Sequence, residues 1–154
     1  MKVAVLMSGG VDSFVAALLL KEQGYEVTGL TMINWSSEVA VQAASAAAVL
    51  NIPHIIVDLH EQFREKVIDY FVAVYEQGST PNPCVVCNRF IKFGSLLDYA
   101  LDLGFDMVAT GHYARIEYDD TRKRYLLKKG KDLSKDQSYF LYGLNQKQLS
   151  YTLF

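Results

Sequence analysis

The chain has 154 residues, 51% of them hydrophobic and 21% charged, with a net charge of −2. This length suits one domain with a real core, and the composition excludes an intrinsically disordered chain. No apolar run approaches the ~20 residues of a membrane span, and Met1-Lys2-Val3 enters a strand pattern without the layout of a secretory signal. The charge balance neither suggests nor excludes a nucleic-acid partner, which would be engaged through a local patch. The two cysteines, Cys84 and Cys87, stand too close in sequence to staple a fold, so a reducing cytoplasm is the expected setting.

The first two thirds alternate strand and helix. Val3–Met7 is an unbroken apolar run fit for a buried strand. Val11, Phe14, Val15, Leu18 and Leu19 recur at helical spacing, and Gly24 ends that helix. Tyr25–Met32 reads as a second strand, and Val39, Ala43, Ala46 and Leu50 mark a small-residue helix that stops before Pro53. That helix carries no charge from Val39 to Leu50, so it is expected to be more buried than usual or to pack against a partner. His54–Asp58 is a third strand, followed by an amphipathic helix on Phe63, Val67, Tyr70, Phe71 and Val74 that Gly78 closes. After a polar loop, Ser79–Pro83, a fourth helix carries Phe90, Phe93, Leu97, Ala100 and Leu101, and Met107–Thr110 is a fourth strand. Tyr113–Tyr118 and Arg124–Lys128 flank Asp119–Lys123 as a β-hairpin, and Asn145–Phe154 reads as a helix start that is cut off.

Alternation with short connections implies an α/β fold with a doubly wound parallel sheet and a C-terminal β-hairpin extension. Ligands of such sheets sit at the carboxyl ends of the strands. Ser8–Ser13, Met32, the loop after Asp58 and Thr110-Gly111-His112 are therefore expected to meet in one crevice.

Ser8-Gly9-Gly10-Val11-Asp12-Ser13 joins the first strand directly to the first helix. A turn of this kind builds a nest of backbone N–H groups at a helix N-terminus, which is a phosphate site. Gly9 and Gly10 allow close approach and positive φ. Ser8 and Ser13 add hydroxyls, and Asp12 can hold Mg²⁺ or cap the helix. The chain contains neither the Gly-x-x-x-x-Gly-Lys-[Ser/Thr] loop nor the Gly-x-Gly-x-x-Gly fingerprint. The plain alternative is a tight turn with an ordinary Asp or Ser cap. The motif resembles the PP-loop of ATP pyrophosphatases, which split ATP between the α and β phosphates and leave AMP on a substrate oxygen.

Thr80-Pro81-Asn82-Pro83-Cys84-Val85-Val86-Cys87-Asn88-Arg89 is the second dense stretch. Its prolines present both thiols at the mouth of a helix, where Arg89 and Lys92 are expected to favour the thiolate of a nucleophile. A zinc half-site, a thioredoxin-like redox pair and two structural cysteines are the competing readings. A zinc site would have to recruit from His54, His60 and His112.

The PP-loop, Gly29-Leu30-Thr31-Met32 with Asn34-Trp35, and the cysteine loop with Ile91-Lys92-Phe93 occur in that order. Ala109-Thr110-Gly111-His112-Tyr113-Ala114-Arg115 and Lys135-Asp136-Gln137-Ser138-Tyr139-Phe140-Leu141-Tyr142 follow. Together, from Lys2 to Phe154, they resemble the bacterial tRNA-specific 2-thiouridylase (MnmA) family, whose nucleotide domain is of the Rossmann-like HUP type. The resemblance implies ATP-dependent conversion of a wobble uridine of tRNA to 2-thiouridine, with Mg²⁺. It implies that Leu6, Met7, Ser8, Gly9, Gly10, Val11, Asp12 and Ser13 hold ATP, and that Met32 and Gly111 line its adenine and ribose side. Asn82, Pro83 and Cys84 would meet the target base, extruded from the anticodon stack, and Cys87 matches the nucleophile. Lys135, Asp136 and Gln137 match a tRNA-contacting segment. A cysteine desulfurase or sulfur-relay protein would donate the sulfur. The division expected is a nucleotide-binding unit over 1–112 and the hairpin with the start of a tRNA-contacting unit over 113–154.

Three features depart from the family pattern. Family members carry a second, downstream cysteine for the persulfide and continue into a further domain and a β-barrel. A fragment or truncated member is therefore expected, one that binds ATP·Mg²⁺ without completing thiolation alone. The segment after Trp35 is short and neutral where members commonly carry acidic residues: Ser36-Ser37-Glu38 leads into Val39–Leu50, in which no residue is charged. Cys84 stands where many members have Asp, so a full-length protein could assemble an iron–sulfur cluster on Cys84, Cys87 and a third thiolate. Arg122, Lys123, Arg124, Lys128, Lys129, Lys131 and Lys135 crowd the hairpin as a candidate phosphate patch, with Tyr113, Tyr125 and Tyr139 available for stacking. The alternatives are a non-catalytic ATP- or tRNA-binding module and a PP-loop enzyme acting on a small carbonyl compound.

Overall fold

The computed structural model describes residues 1–33 and 38–154. Asn34 and Trp35, which belong to the resemblance above, and Ser36-Ser37 lie outside the described residues.

Strands β1 (Lys2–Leu6), β2 (Glu26–Ile33), β3 (His54–Asp58) and β4 (Met107–Ala109) form a parallel sheet with the short terminal strand β7 (Thr152–Leu153), in the order β3-β2-β1-β4-β7. The apolar run of β1 follows from its central place: Val3, Ala4 and Val5 are all fully buried, because both faces of the strand are covered. Helices α1 (Val11–Glu22) and α2 (Glu38–Leu50) cover one face, where Ala17, Ala43, Ala47 and Leu50 pack on Val3, Val5, Val27 and Ala109. Helices α3 (60–76) and α4 (83–102) cover the other, placing Val67, Ile91, Leu96, Leu97 and Ala100 on Ala4, Leu30, Val57 and Val108. Among the described residues no helix is long and apolar enough to cross a membrane.

Both α3 and α4 are continuous but contain π-helical stretches, Arg64–Ile68 and Cys87–Ser95. Helix α4 begins at Pro83, with Asn82 as its cap accepting the Val85 N–H at 3.3 Å. The polar loop thus runs over 79–82, and Pro83, expected as its last residue, is instead the first residue of the helix. Helix α2 buries one alanine face only: Val41 is 65% and Val49 77% exposed, so the expectation of an unusually buried helix does not hold.

The hairpin, β5 (Ala114–Asp119) paired antiparallel with β6 (Arg124–Lys129), packs with a 3₁₀ turn, Ser138–Leu141, around Phe93 of α4. The tail differs from expectation. Helix α5 (Gln146–Ser150) is short and closed at its start by a capping box in which the Asn145 and Gln148 side chains bond each other's backbone N–H. Then β7 adds to the sheet beside β4, so the segment is no interrupted helix.

Candidate functional site

Strand order reverses between β1 and β4, and the loops that leave their carboxyl ends run side by side. After β1, Gly9 takes φ +77°, a left-handed conformation that glycine adopts without strain. It also lies so close to α2 that a Cβ there would sit 2.5 Å from Gln42 Cβ. Gly10 is the N-cap of α1, and no side chain caps that helix. The Ser13 hydroxyl, buried, donates to the Gly10 carbonyl at 2.9 Å and accepts the Ser8 N–H at 3.3 Å, which holds the loop in shape. The plain alternative of an Asp or Ser cap is therefore not what the loop builds. The uncapped first turn leaves N–H groups and the positive end of the helix dipole open to an anion.

After β4, Gly111 abuts the same turn: a Cβ there would fall 2.6 Å from the Asp12 carbonyl carbon and 2.8 Å from the Ser13 nitrogen. Between the loops lies a cleft of about 210 Å³, lined by Leu6, Met7, Ser8, Asp12, Ser13 and Met32 with Gly111 and Gln137. Gly9 and Gly10 are not among its lining residues. Val11 instead faces a neighbouring apolar groove with Val15 and Leu19. The loop after Asp58 is not part of the lining, whereas Lys92, Thr110 and His112 are. Leu30, Lys92 and Leu96 are lining residues to which sequence reasoning gave no role in the crevice, and for Lys92 its place in Ile91-Lys92-Phe93 was the available signal.

His112 accepts or donates at Nδ1 with the Thr110 hydroxyl, 2.8 Å away, and its ring lies 6.0 Å from those of Phe93 and Phe154. Burial, helped by the Lys92 charge, lowers its pKa to about 4, so it is neutral at pH 7. Asp12 is the sole carboxylate among the lining residues and accepts the Tyr113 hydroxyl at 2.9 Å, which holds that phenol above its ordinary pKa.

The thiols stand outside this cleft, on the first turns of α4. Cys84 is exposed, Cys87 is half-buried against the α3–α4 core, and both are free. Burial pushes the Cys87 thiol up; Lys92 opposes this and Cys84 adds to it. The expected thiolate is thus corrected: desolvation outweighs the nearby Lys92 cation. Asn82 lines a separate groove with Arg89, Phe90 and Tyr142. A four-thiolate cluster does not fit a chain with two cysteines, and among the described residues no three His, Cys, Asp or Glu side chains gather to hold a metal.

Lys135 is exposed. Asp136 accepts the Gly130 N–H at 2.7 Å and the Ser138 hydroxyl at 2.8 Å, which lower its pKa. Gln137 accepts the Tyr113 N–H and reaches the cleft. The segment 135–137 thus reaches the cleft through Gln137, whereas neither thiol is among the lining residues.

The chain matches, over residues 1–154, the family model described as the tRNA methyl transferase HUP domain. It is 64% identical over its whole length to a "tRNA-specific 2-thiouridylase MnmA" of Syntrophomonas wolfei, of which it covers 46%. It is 54% identical over 99% of its length to a "tRNA-specific 2-thiouridylase MnmA 2" of Thermoanaerobacter sp., again covering 46% of that protein. The chain therefore spans about half the length of the curated relatives it matches. A solved structure from Methanocaldococcus jannaschii, described as a "predicted subunit of tRNA methyltransferase", superposes with a TM-score of 0.55 at 25% identity, over 72% of this chain and 52% of that one. With its parallel five-stranded sheet, switch-point cleft and end-to-end match, the chain belongs to the tRNA methyl transferase HUP-domain family.

Proposed function

We propose that the chain is the ATP-using, base-activating part of a tRNA uridine 2-sulfurtransferase that acts in the cytoplasm. The observation that carries this reading is the uncapped start of α1, which opens on the switch-point cleft with Gly111 bare against it. The residues present fit a nucleoside triphosphate. N–H groups and Lys92 suit its phosphates, Leu6, Leu30, Met32 and Leu96 suit an adenine, and Asp12 supplies the oxygen donor that Mg²⁺ takes beside phosphates. Bound there, Mg²⁺ would neutralise charge on the departing pyrophosphate.

In this reading Leu6–Ser13 hold ATP, Met32 and Gly111 line its nucleoside side, and residues 113–154 begin the unit that meets tRNA. Asn82, Pro83 and Cys84 receive the extruded uracil. Its C2 oxygen attacks the α-phosphorus, the bond to the β-phosphate oxygen breaks, and pyrophosphate leaves. Oxygen, a poor leaving group, thereby becomes part of AMP. Sulfur arrives from a donor protein as the outer sulfur of a persulfide on a further cysteine. The Cys87 thiol, giving its proton to solvent, attacks the inner sulfur, so that a disulfide forms and hydrosulfide leaves. The hydrosulfide attacks C2 as AMP departs. Lys135, Asp136 and Gln137 contact the tRNA. The names of the curated relatives, together with the paired thiols, favour sulfur transfer over the methyl transfer in the family description.

The test is calorimetric titration of the chain with ATP·Mg²⁺, followed by pyrophosphate release with tRNA transcripts bearing a wobble uridine. Binding of ATP and competition by such transcripts are expected. A chain that binds no ATP, or that consumes ATP on small carbonyl compounds regardless of tRNA, overturns the reading.

A further inference from the structure

One contact of the cleft has no part in the roles above. The Tyr113 hydroxyl donates to Asp12 Oδ1 at 2.9 Å, joining residues 101 positions apart in the chain. Both ends of the contact are held. The Asp12 backbone is pressed against Gly111. The Tyr113 backbone is clamped by Gln137, whose Oε1 accepts the Tyr113 N–H at 3.0 Å and whose N–H donates to the Tyr113 carbonyl at 2.9 Å. Gly130 closes the third side, since a Cβ there would lie 2.9 Å from the same carbonyl oxygen. The phenol is therefore aimed by a fixed backbone although its residue is 44% exposed.

We propose that Tyr113 is a positioning residue for the divalent cation of the nucleotide: its hydroxyl fixes the Asp12 carboxylate and leaves the second oxygen to the metal. A carboxylate has room for both, because its two oxygens offer about four acceptor sites. A carboxylate so held loses little further freedom on taking a metal, and removing such a supporting partner typically costs ~10–100-fold in metal affinity. Because Gln137 clamps Tyr113, the same contact ties the segment 135–137 to the first turn of α1. The inference rests on the ATP·Mg²⁺ reading of the cleft.

The experiment measures ATP binding to the full chain by calorimetry, without Mg²⁺ and across a Mg²⁺ titration, for wild type, Tyr113→Phe and Tyr118→Phe. Tyr118 is the control: it lies on β5, is 45% exposed and stacks on Tyr125 rather than touching Asp12. Tyr113→Phe is expected to raise the half-saturating Mg²⁺ concentration about tenfold, with ATP affinity in the absence of Mg²⁺ and the far-UV circular dichroism unchanged. Tyr118→Phe is expected to match wild type. An unchanged Mg²⁺ requirement in Tyr113→Phe overturns the role. So does an equal loss with and without Mg²⁺, which would assign the hydroxyl to the shape of the loop. Absence of ATP binding by wild type in every condition overturns the nucleotide reading itself, and the positioning role with it.

Discussion

Burial, more than the neighbours in sequence, sets the pKa shifts of Cys87 and His112. Cys87 has Lys92 and Arg89 nearby in sequence, yet its desolvation against the α3–α4 core dominates and its pKa rises. We expect timed alkylation with iodoacetamide, read by mass spectrometry, to modify exposed Cys84 first and Cys87 only at pH above the ordinary thiol range. Lys92→Gln should move Cys87 higher still, because that cation opposes the shift. Fast labelling of Cys87 at pH 7 would show that the thiol is not desolvated. His112 responds in the opposite pH direction. Its pKa is about 4 in the folded chain against an unperturbed 6.5. A depressed value means its stabilising effect is complete above pH 6.5 and is lost as pH falls toward 4, when the unfolded chain takes the proton first. A shift of this size corresponds to about 3 kcal/mol across that window. Urea unfolding should therefore show a clear loss of stability between pH 7 and pH 4.5, and His112→Asn should flatten that slope. His54, also lowered by burial, leaves a residual slope in both proteins.

At the scale of elements, the cleft exists because two connections approach to backbone contact. Gly111 has an ordinary φ, so its need for glycine is spatial: the space for a Cβ is taken by the main chain of Asp12 and Ser13. Gly111→Ala must push β4's exit loop away from α1. We expect it to cost about 1–3 kcal/mol by overpacking and to abolish ATP binding measured by calorimetry; retained affinity would show that the nucleotide does not use this approach. Much of this arrangement was legible in the chain. The Val3–Met7 run, the helical spacing after Ser13 and His54–Asp58 are local patterns, and local patterns survive folding. Ser8–Ser13 and Gly111 could be matched to one crevice because parallel sheets put such loops at one edge. What stayed hidden depends on tertiary partners. The start of α4 at Pro83 looked like a loop because proline and asparagine serve both as turn formers and as the first residues of a helix. The strand Thr152–Leu153 exists only by pairing with β4, and two residues carry no alternation to read. The entry of Lys92 into the cleft depends on how the π-helical stretch of α4 turns its side chains, and spacing rules written for the α-helix do not anticipate that.

For the whole molecule, the question is how a chain of net charge −2 would hold a polyanion. The basic hairpin is less free than its composition implies. Arg122 pairs with Asp119 at 3.2 Å, Lys123 with Asp120 at 3.5 Å, and Lys128 with Glu117. Lys129 faces the Asp136 carboxylate. Arg124, Lys131 and Lys135 are exposed and, among the described residues, have no carboxylate within ion-pair distance. These three are the cations ready to meet phosphate without first breaking a pair. Each phosphate neutralised contributes about −0.7 to −0.9 to the slope of log K against log salt. We therefore expect tRNA binding by this chain, followed by fluorescence anisotropy from low to physiological KCl, to give a slope of about −2 to −3. Replacing Arg124, Lys131 and Lys135 together by Gln should bring the slope close to zero. The exposed pairs are individually weak, so a wild-type slope near −5 would mean that phosphate pulls Arg122, Lys123 and Lys128 from their carboxylates. A slope near zero in wild type would place the tRNA away from the hairpin and remove residues 113–154 from the proposed interface.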